Sequence, residues 1–296
     1  MPRDYQMPFF YSAVSLMWSF YPADSALLER YLEGTGLKPA RFNDLQVTSG
    51  LVSLNIQNYA SLLGNFIATV AEIEFNIHAY PVSQEDRVPD ISLGEYLIGQ
   101  DQTKLVGGFR LHVPANDRIA VEAGMLAFGE RKFVAPFSYS VPSPNGRSAG
   151  GGPPWECTCF APWRQPGKQE WETQPPEDPS DADTICTMTA DLSWTTPRFG
   201  NPSPLTLYSL LPGGPDAPPG NGRLIGSRWN LLGPCETYYP LERQTQKDIT
   251  LKLGGSSHAM RNDLQRIIGT TAPIAAQVFQ SPPAAVENRA YWVDPQ

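Results

Sequence analysis

The segment from Asn65 to Tyr80 constrains the fold of this chain more than any other stretch, because polar and apolar residues alternate along it. Successive side chains of a β-strand point to opposite faces of a sheet, so the alternation predicts a strand with one polar and one apolar face. Such a polar face either lies in water on an amphipathic sheet or lines the interior of a closed barrel or cone, and the sequence leaves both arrangements open. The polar face carries Glu72, Glu74, Asn76 and His78, and the apolar face carries Ile73, Phe75, Ile77 and Ala79.

The rest of the chain predicts short strands joined by many turns. Of its 296 residues, 30 are proline and 25 are glycine, a high proportion that suits this architecture. The length suffices for a full hydrophobic core, in one large β-rich domain or in two smaller ones. Strands are predicted at Ser12–Phe20, Phe42–Gln57, Asn65–Tyr80, Leu105–Val113, Thr187–Trp194, Leu205–Leu211, Leu224–Leu231, Thr237–Pro240 and Asp248–Leu253, with a final extended stretch at Ala275–Val293.

Four short helices are predicted between these strands. Glu95 follows Ser92 by three residues, which is the spacing of a capping box. Gly269 ends a late run of apolar residues at helical spacing. The first helix begins after a cap at Asp24 or Ser25. The other three span Ser92–Ile98, Arg118–Ala123 and Ser256–Ile268.

A single lysine, Lys132, lies at the start of an apolar strand within the segment from Glu122 to Val141. A lysine among apolar side chains either extends its amine to water or is held desolvated with a lowered pKa. In the second case Phe128, Phe133 and Phe137 would bring the pKa of Lys132 well below its ordinary value of about 10.4. The neutral amine could then attack a carbonyl group and form a Schiff base. On this interpretation, replacing Lys132 by methionine stabilises the protein at neutral pH.

The segment Gly129-Glu130-Arg131-Lys132, between a short helical run broken at Gly124 and Gly129 and an aromatic strand, resembles the acetoacetate decarboxylase-like superfamily. In that superfamily a G-x-P-K segment supplies the Schiff-base lysine, so the resemblance implies this role for Lys132. The sequence departs from the pattern at Arg131, where proline is usual, and at Phe133, where the decarboxylase itself has a second lysine. Arg131 could replace that cation, but neighbouring strand residues point to opposite faces, so we expect desolvation to matter more.

The same resemblance assigns further site residues and a fold. It places a catalytic glutamate on the alternating strand, either Glu72 or Glu74. The family's carboxylate-binding arginine falls at Tyr21, and we assign Tyr21, His78, Arg131 and Phe133 to the substrate pocket. The implied fold is an α+β domain dominated by an antiparallel sheet curled into a cone or barrel, with Lys132 in its interior beside Glu72 or Glu74. The resemblance is close from Ser12 to Pro142 and looser beyond.

One segment, residues 142–183, departs in composition from the rest of the chain. Runs of glycine and proline bracket a middle that contains Trp155, Trp163 and Trp171, and disordered segments are usually poor in aromatic residues. We expect a single domain over residues 1–296 with this segment as an insertion, folded over the core or onto a partner chain. A lid over the pocket is the alternative to simple surface packing.

Charge and cysteine content exclude several classes of function. A net charge of −8 without a basic run argues against nucleic acids and anionic membranes as partners. No apolar run approaches the roughly 18 residues of a membrane span, so we expect a cytoplasmic protein. The spacing in Cys157-Thr158-Cys159 is too tight for a usual zinc site, and we expect neither a metal nor another cofactor.

Two functions from different classes fit these features. The first is a lyase that acts on a keto-acid through a Schiff base at Lys132, by decarboxylation or aldol-type chemistry, with Glu72 or Glu74 moving protons. The second is a non-covalent small-molecule binder, cyclase or isomerase on the same scaffold, for example in secondary metabolism. It is favoured by the departures at Tyr21 and Phe133 and by the 7 Trp, 12 Tyr and 13 Phe that could line an apolar pocket. The resemblance also implies a homo-oligomer.

Overall fold

The computed structural model describes residues 5, 7–63, 66–142, 154–193, 195–211, 222–241 and 243–282. Strands dominate this part of the chain. They are β1 (Phe10–Asp24), β2 (Leu37–Pro39), β3 (Ser49–Leu63), β4 (Phe66–Pro81), β5 (Gly107–Ala115), β6 (Lys132–Val134), β7 (Phe137–Ser140), β8 (Trp155–Phe160), β9 (Thr184–Ala190), β10 (Arg198–Gly200), β11 (Leu205–Leu211), β12 (Arg223–Trp229), β13 (Cys235–Tyr238), β14 (Ile249–Leu253) and β15 (Ala275–Gln280).

The helices are short. No helix in the described ranges is long and apolar enough to cross a membrane. The α-helices are α1 (Ser25–Leu32), α2 (Leu93–Leu97), α3 (Arg118–Phe128), α4 (Arg243–Asp248) and α5 (Ala259–Ile267), and 3-10 turns span Val82–Arg87 and Asp181–Asp183.

Eleven strands form one mainly antiparallel sheet. Its order is β10-β13-β15-β1-β3-β4-β5-β11-β12, and β2 and β6 add to β4 and β5. The long strands β1, β3 and β4 are sequential neighbours and pair antiparallel. Only at β5 does the pairing become parallel: on the edge away from β4, its first residues pair with β11 and its last residues pair with β6. The β6 pairing brings the segment after α3 back onto the sheet.

The large sheet curls around an interior. Strand β12 lies five steps from β1 in the pairing order. Even so, the Trp229 ring on β12 lies 6.1 Å from the Tyr11 ring and 6.3 Å from the Trp18 ring, both on β1. Among the described residues the two ends of the path, β10 and β12, do not pair with each other. The prediction of an α+β chain dominated by a curled, mainly antiparallel sheet is confirmed.

A second sheet packs on the outer face of the first. It has the order β14-β9-β8-β7. Met17 and Tyr21 of β1 share one buried core with Cys186 and Met188 of β9, and the Ser19 hydroxyl of β1 lies 3.5 Å from Met188 Sδ. The core therefore joins the two sheets across this face of β1.

Several predicted helix ends are confirmed. The Asp24 carboxylate caps α1 by accepting from the Leu27 amide, and Ser92 and Glu95 form the predicted capping box of α2. His258 caps α5. Helix α3 is longer than predicted, because Gly124 lies inside it and only Gly129, at φ 61°, ends it.

Two predicted segments need correction. The strand expected from Phe42 begins only at Ser49, because two turns precede it. In these turns the Leu45 amide donates to the Phe42 carbonyl and the Ser49 amide donates to the Gln46 carbonyl. Within the expected insertion, β8 is an integral strand of the second sheet, and buried Trp155 belongs to the core that joins the sheets.

The remainder of the expected insertion packs on the surface. Residues 143–153 lie outside the described residues, as do 283–293 of the predicted final stretch. The Arg164 guanidinium lies 3.7 Å from the centre of the Trp171 ring, and Arg118 binds the Trp171 carbonyl. No described residue after β8 in this segment lines a cavity discussed below.

Candidate functional site

A cavity of about 610 Å³ lies inside the curled sheet. Apolar side chains of the N-terminal segment, α3, β12 and β15 form much of its wall, among them Phe9, Phe128, Trp229 and Phe279. Its charged lining is concentrated in a few side chains from neighbouring strands. These are Glu72, Glu74, Arg110, Glu130 and Lys132.

Lys132 enters this cavity from the first residue of β6. Helix α3 ends at Gly129, and β6 pairs with β5 starting at Val113. Because strand residues alternate between faces, Glu130 and Lys132 point together into the interior. The Lys132 side chain is only 6% exposed, and its amine lies 2.7 Å from Glu72 Oε2 and 3.0 Å from Glu130 Oε2.

The Glu72 carboxylate is held from two directions. Lys132 contacts it on one side, and the Tyr59 hydroxyl of β3 donates a 2.7 Å hydrogen bond to the same Oε2 atom. Both Glu72 and Tyr59 are buried. The geometry fixes the carboxylate against the amine.

Arg110 of β5 extends the network to the neighbouring pair. Its Nε lies 3.2 Å from Glu74 Oε1 and its Nη2 lies 3.3 Å from Glu130 Oε1. Asn76 donates to the other Glu74 oxygen at 3.1 Å. The order Glu72–Lys132–Glu130–Arg110–Glu74 is a buried chain of alternating charges, which we call the charged chain.

Ion pairing decides the charge of the Lys132 amine. Burial alone would lower its pKa, but Glu130 and Glu72 outweigh burial and raise the pKa above the ordinary lysine value. The expected lowered pKa is therefore wrong: carboxylates, and not only aromatic rings, surround the amine. The resting state is an ammonium ion.

The two carboxylates that contact Lys132 differ from each other. Burial raises the pKa of Glu72 to about 6, even though Lys132 opposes the shift. Burial acts in the same direction on Glu130, but Lys132 and Arg110 outweigh it and lower the pKa of that carboxyl group. Glu72 is therefore the more basic partner of the amine.

The geometry separates the two glutamates that the sequence left equivalent. Glu72 contacts the Lys132 amine, whereas Glu74 contacts Arg110. Glu74 lies two residues, or about 7 Å, further along β4. Of the two, Glu72 is the candidate for proton transfer with Lys132.

Three of the four residues assigned to the substrate pocket point to other surfaces. Tyr21 lies with Met17 in the core between the sheets, on the opposite face of β1 from Trp18, so the place of the family's arginine is turned away from the cavity. Arg131 is exposed, with its guanidinium 5.7 Å from the Phe109 ring. Phe133 packs 4.7 Å from the His258 ring. Arg131 and Phe133 alternate with Glu130 and Lys132 along the chain, so their side chains point away from the cavity.

His78, the fourth, lies in a separate cavity of about 50 Å³. It shares a face with Glu72, but six strand residues place it about 20 Å further along β4. Its ring nitrogens lie 3.1 Å from the Tyr96 hydroxyl and 3.0 Å from the Ser53 hydroxyl. Burial lowers its pKa to about 3, so the ring is neutral. Glu74 lines both cavities.

Three members of the site, Glu130, Arg110 and Tyr59, were not predicted from the sequence. Glu130 could have been predicted from the sequence. It precedes Lys132 by two residues, so the two side chains share a face if the chain is already extended at Glu130. Arg110 is a lone cation in the apolar strand β5, which indicates a buried partner. No group of three or more His, Cys, Asp or Glu side chains in the described ranges is arranged to hold a metal ion.

Comparison with solved structures places this geometry on a known scaffold. An acetoacetate decarboxylase-like enzyme from Sphingomonas wittichii RW1 is similar over 93% of this chain and 91% of its own, with a TM-score of 0.52 and 13% identity. The chain has the acetoacetate decarboxylase-like fold. Acetoacetate decarboxylase from Legionella pneumophila subsp. pneumophila str. Philadelphia 1 is similar over 94% of this chain and 89% of its own, with a TM-score of 0.50 and 12% identity. No protein-family model matches the sequence, and no curated protein is significantly similar to it.

At these identities the similarity concerns the fold, and it extends well beyond the stretch from Ser12 to Pro142 that carried the resemblance. The acetoacetate decarboxylase-like fold explains why the chain curls its long strands around one interior. What the interior of this chain can do depends on its own side chains.

Proposed function

We propose that the protein is a lyase that forms a Schiff base between Lys132 and a small-molecule carbonyl substrate. One observation carries the proposal: the Lys132 amine is buried in the large cavity between the Glu72 and Glu130 carboxylates. Two carboxylates on one amine, at the wall of a cavity of this size, suit a group that changes its bonding during a reaction.

The paired carboxylates favour the covalent intermediate as well as the resting amine. A protonated Schiff base carries the same single positive charge as the ammonium ion it replaces. Glu72 and Glu130 therefore stabilise both charged states, and the neutral amine between them is the costly state. This differs from the mechanism expected from sequence, in which desolvation alone produced a free amine.

Proton transfer from Lys132 to Glu72 supplies that neutral amine. The two groups are 2.7 Å apart, and the raised pKa of Glu72 makes it the better acceptor of the two carboxylates. The amine nitrogen then bonds to the carbonyl carbon of the substrate. The carbonyl oxygen takes up two protons, one from Glu72 and one from the nitrogen, and leaves as water.

The iminium then accepts the electrons of the bond that breaks. In decarboxylation the carboxylate leaves as carbon dioxide, and in retro-aldol cleavage the second carbonyl product leaves. Either path yields an enamine. In the retro-aldol path Glu72 takes the proton of the substrate hydroxyl group, and in decarboxylation it takes up a proton from the solvent. Glu72 then passes this proton to the enamine carbon, and water hydrolyses the iminium and frees Lys132. Tyr59 is a positioning residue in this scheme, because it holds the Glu72 oxygen that faces the amine.

The size and lining of the cavity favour a substrate larger than acetoacetate. A volume of about 610 Å³ lies within the range of roughly 300–1,000 Å³ that is typical of sites for drug-sized ligands. A four-carbon keto-acid fills a small part of it. The aromatic wall formed by Phe9, Phe128 and Trp229 suits an apolar or aromatic substituent on the carbonyl compound.

Borohydride trapping tests the proposal. The protein is incubated with 4-phenyl-2-butanone, a ketone with an aromatic substituent, and reduced with sodium borohydride. We expect a secondary-amine adduct located by peptide mass spectrometry at Lys132 and absent from Lys104 and Lys38, which serve as internal controls. In Glu72→Gln we expect the rate of adduct formation to fall by about 10²–10⁴-fold, the usual contribution of a general acid or base. An unmodified Lys132 with ketones and keto-acids of several sizes would exclude the covalent mechanism.

A second candidate is a non-covalent binder, cyclase or isomerase in the same cavity. The two ion pairs of Lys132, which favour the charged amine, support this candidate, since an ammonium ion can stabilise an enolate without bonding to it. Lys132→Arg keeps the charge and removes the nucleophile. Full activity of that variant supports the non-covalent class, whereas its loss with an intact fold supports the Schiff base.

Two further parts of the proposal rest on the sequence and its family resemblance. We infer a homo-oligomer without nucleic-acid or membrane partners, working in the cytoplasm. Multi-angle light scattering of the purified protein tests the oligomer, and fractionation of the cells that produce it tests the location.

A further inference from the structure

Tyr11 lines the large cavity, although the alternation along β1 predicts the opposite direction for its side chain. Val14 and Trp18 belong to the core on the interior face, and Met17 belongs to the core between the two sheets. Even-numbered residues of β1 therefore face the interior, and odd-numbered residues face the second sheet. Uninterrupted alternation would turn Tyr11 away from the cavity.

A β-bulge at Ser12 reverses this direction. Tyr11 pairs with Ser61 of β3 and Ala13 pairs with Ala60, so β1 has one residue more than β3 between the two pairs. Ser61 is buried and lines the large cavity, and directly opposite residues of an antiparallel pair share a face. The bulge therefore places the Tyr11 side chain in the cavity. Bulges of this kind are over-represented next to active sites, where they redirect a side chain.

Aromatic contacts orient the Tyr11 ring within the cavity. Its centre lies 5.2 Å from that of the Tyr59 ring and 6.1 Å from that of the Trp229 ring, and both contacts are edge to face. Tyr59 is the residue that donates to Glu72, whose carboxylate contacts Lys132. Tyr11 therefore packs directly on a member of the site.

The Tyr11 hydroxyl is a donor without a partner among the described residues. Tyr11 is 36% exposed, but protein surrounds it on most sides, and this burial raises its pKa to about 12. Of the charges that act on the hydroxyl, that of Lys132 has the largest effect, and it opposes the rise. The hydroxyl is therefore protonated and neutral near pH 7, within electrostatic reach of the Lys132 amine.

The charged chain disfavours negative charge on a substrate oxygen. It contains the three carboxylates Glu72, Glu74 and Glu130 but only the two cations Arg110 and Lys132. When all five are ionised, one net negative charge remains. A carbonyl oxygen gains negative charge while an amine bonds to its carbon, so a neutral donor beside that oxygen lowers the barrier.

We propose that Tyr11 is a further catalytic residue, whose hydroxyl donates a hydrogen bond to the oxygen on the reacting carbon of the substrate. The proposal rests on the Schiff-base function proposed above and adds a residue to its mechanism. The hydrogen bond stabilises the oxygen while the Lys132 nitrogen bonds to the carbon. Tyr11 keeps its own proton, so the two protons that leave with the oxygen as water still come from Glu72 and the nitrogen.

The kinetics of adduct formation test this role. Tyr11→Phe removes the hydroxyl and keeps the ring against Tyr59 and Trp229. The rate of adduct formation at Lys132 is measured at increasing 4-phenyl-2-butanone concentration, with enough sodium cyanoborohydride that Schiff-base formation limits the rate. We expect the maximal rate to fall about 10²–10³-fold, the usual cost of removing one donor to a developing negative charge. The half-saturating ketone concentration should change less than about tenfold, because a neutral hydrogen bond to the bound ketone contributes little.

Tyr139 offers a matched control. It is 42% exposed on β7 of the second sheet and does not line the cavity. Tyr139→Phe removes the same hydroxyl group from a tyrosine of similar exposure. We expect it to leave the maximal rate and the half-saturating concentration unchanged.

Binding of molecules without a carbonyl group tests Tyr11 independently of Lys132 chemistry. 4-Phenyl-2-butanol carries a hydroxyl on the carbon that would react in the ketone, and 3-methylbutylbenzene has a methyl group in place of that hydroxyl. Tryptophan fluorescence gives the Kd of each, because Trp229 lines the cavity. Tyr11→Phe should raise the Kd of the alcohol about three- to tenfold, the value of one neutral hydrogen bond, and change that of the hydrocarbon less than twofold.

Two results would overturn the proposal. They are a maximal rate in Tyr11→Phe equal to that of the wild type and a Tyr11→Phe effect on Kd that is equal for the alcohol and the hydrocarbon. Failure of the Schiff-base function gives a different pattern: no adduct at Lys132 in the wild type, with the selective effect of Tyr11 on the alcohol retained.

Discussion

Burial and ion pairing act on the Lys132 amine in opposite directions, and ion pairing decides the result. The folded-state pKa lies above that of an unfolded lysine. A group with a raised folded pKa stabilises the protein fully below its unfolded pKa, about 10.5 here, and loses this contribution as the pH rises through the folded value. At neutral pH the Lys132 ion pairs therefore stabilise the protein, opposite in sign to the expectation from sequence.

Lys132→Met should destabilise the protein at pH 7 by about 3–5 kcal/mol, the usual cost of leaving a buried charge without its partner. The deficit should shrink below about pH 6, where Glu72 takes up a proton and needs a cation less. Urea denaturation of the two proteins between pH 5 and 9 measures the difference. A variant at least as stable as the wild type at pH 7 would mean that the amine is neutral after all.

His78 predicts a separate acid sensitivity. Its folded-state pKa is about 3 against an ordinary 6.5, because the ring is buried in the small cavity. The unfolded chain therefore binds the proton first, so stability is complete above pH 6.5 and is lost as the pH falls towards 3, by about 5 kcal/mol in total.

His78→Gln should remove this slope while keeping a donor and an acceptor for Ser53 and Tyr96. Denaturation midpoints of wild type and variant between pH 4 and 8 check it. Other titrating groups, including Glu72, are common to both proteins and cancel in the difference. Parallel stability curves for the two proteins would contradict a neutral, buried His78.

At the scale of one residue, the sequence predicted what local patterns determine. The alternation along β4 indicated a polar face with Glu72, and the segment after Gly129 indicated Lys132. The ion-pair partners of these residues were harder to predict, because they are distant along the chain. Arg110, for example, contacts Glu74 from 36 residues away. His78 was placed on the correct face, but the strand is long enough to serve two cavities.

Among the elements, helix α3 contains a glycine, Gly124, that leaves room for side chains of the site. The helix itself does not need a glycine at this position. A Cβ atom on Gly124 would overlap the Glu130 carboxylate and lie 2.6 Å from Lys132 Cδ. Alanine favours a helix interior by about 1 kcal/mol over glycine, so helix propensity alone predicts a stabilising substitution. The side chains of the charged chain pass through the space that the alanine methyl group would take.

Gly124→Ala should therefore displace the Lys132 and Glu130 side chains and lower the yield of the Lys132 borohydride adduct at least tenfold, with a loss of about 1–3 kcal/mol from overpacking. Gly226→Ala is the control, because its Cβ atom would lie 3.5 Å from the Tyr208 ring, an ordinary contact. Adduct yield and urea midpoints are measured for both variants. An unchanged adduct yield in Gly124→Ala would contradict the prediction, because Lys132 would then react normally despite the added methyl group.

Elements with strong local signals were predictable, and elements fixed by distant partners were not. The capping box of α2 and the cap of α1 are formed by residues within three positions of each other. By contrast, β6 has three residues and exists because β5 pairs with it. β8 was taken for an insertion, because its alternation is short and its partners β7 and β9 flank a compositionally unusual region.

In the whole molecule, the curl of the large sheet and the packing of the second sheet are linked. Strand β1 presents Trp18 to the interior and Met17 to the second sheet, so it is buried on both faces. A strand buried on both faces loses its support if either layer opens. We therefore expect the two sheets to unfold together as one unit, in agreement with the single domain expected from the sequence.

The four cysteines report on this cooperativity. Cys157, Cys159 and Cys186 belong to the second sheet and Cys235 to β13 of the large sheet, and all four are free and buried. Burial raises the pKa of each thiol, so the folded protein should react slowly with a maleimide. Brief maleimide pulses at increasing urea concentration, followed by peptide mass spectrometry, give the unfolding midpoint at each position. If the sheets unfold as one unit, the four midpoints coincide, because the core around Met17 and Met188 cannot open on one side alone. Earlier labelling of the three cysteines in the second sheet than of Cys235 would instead show that this sheet opens independently.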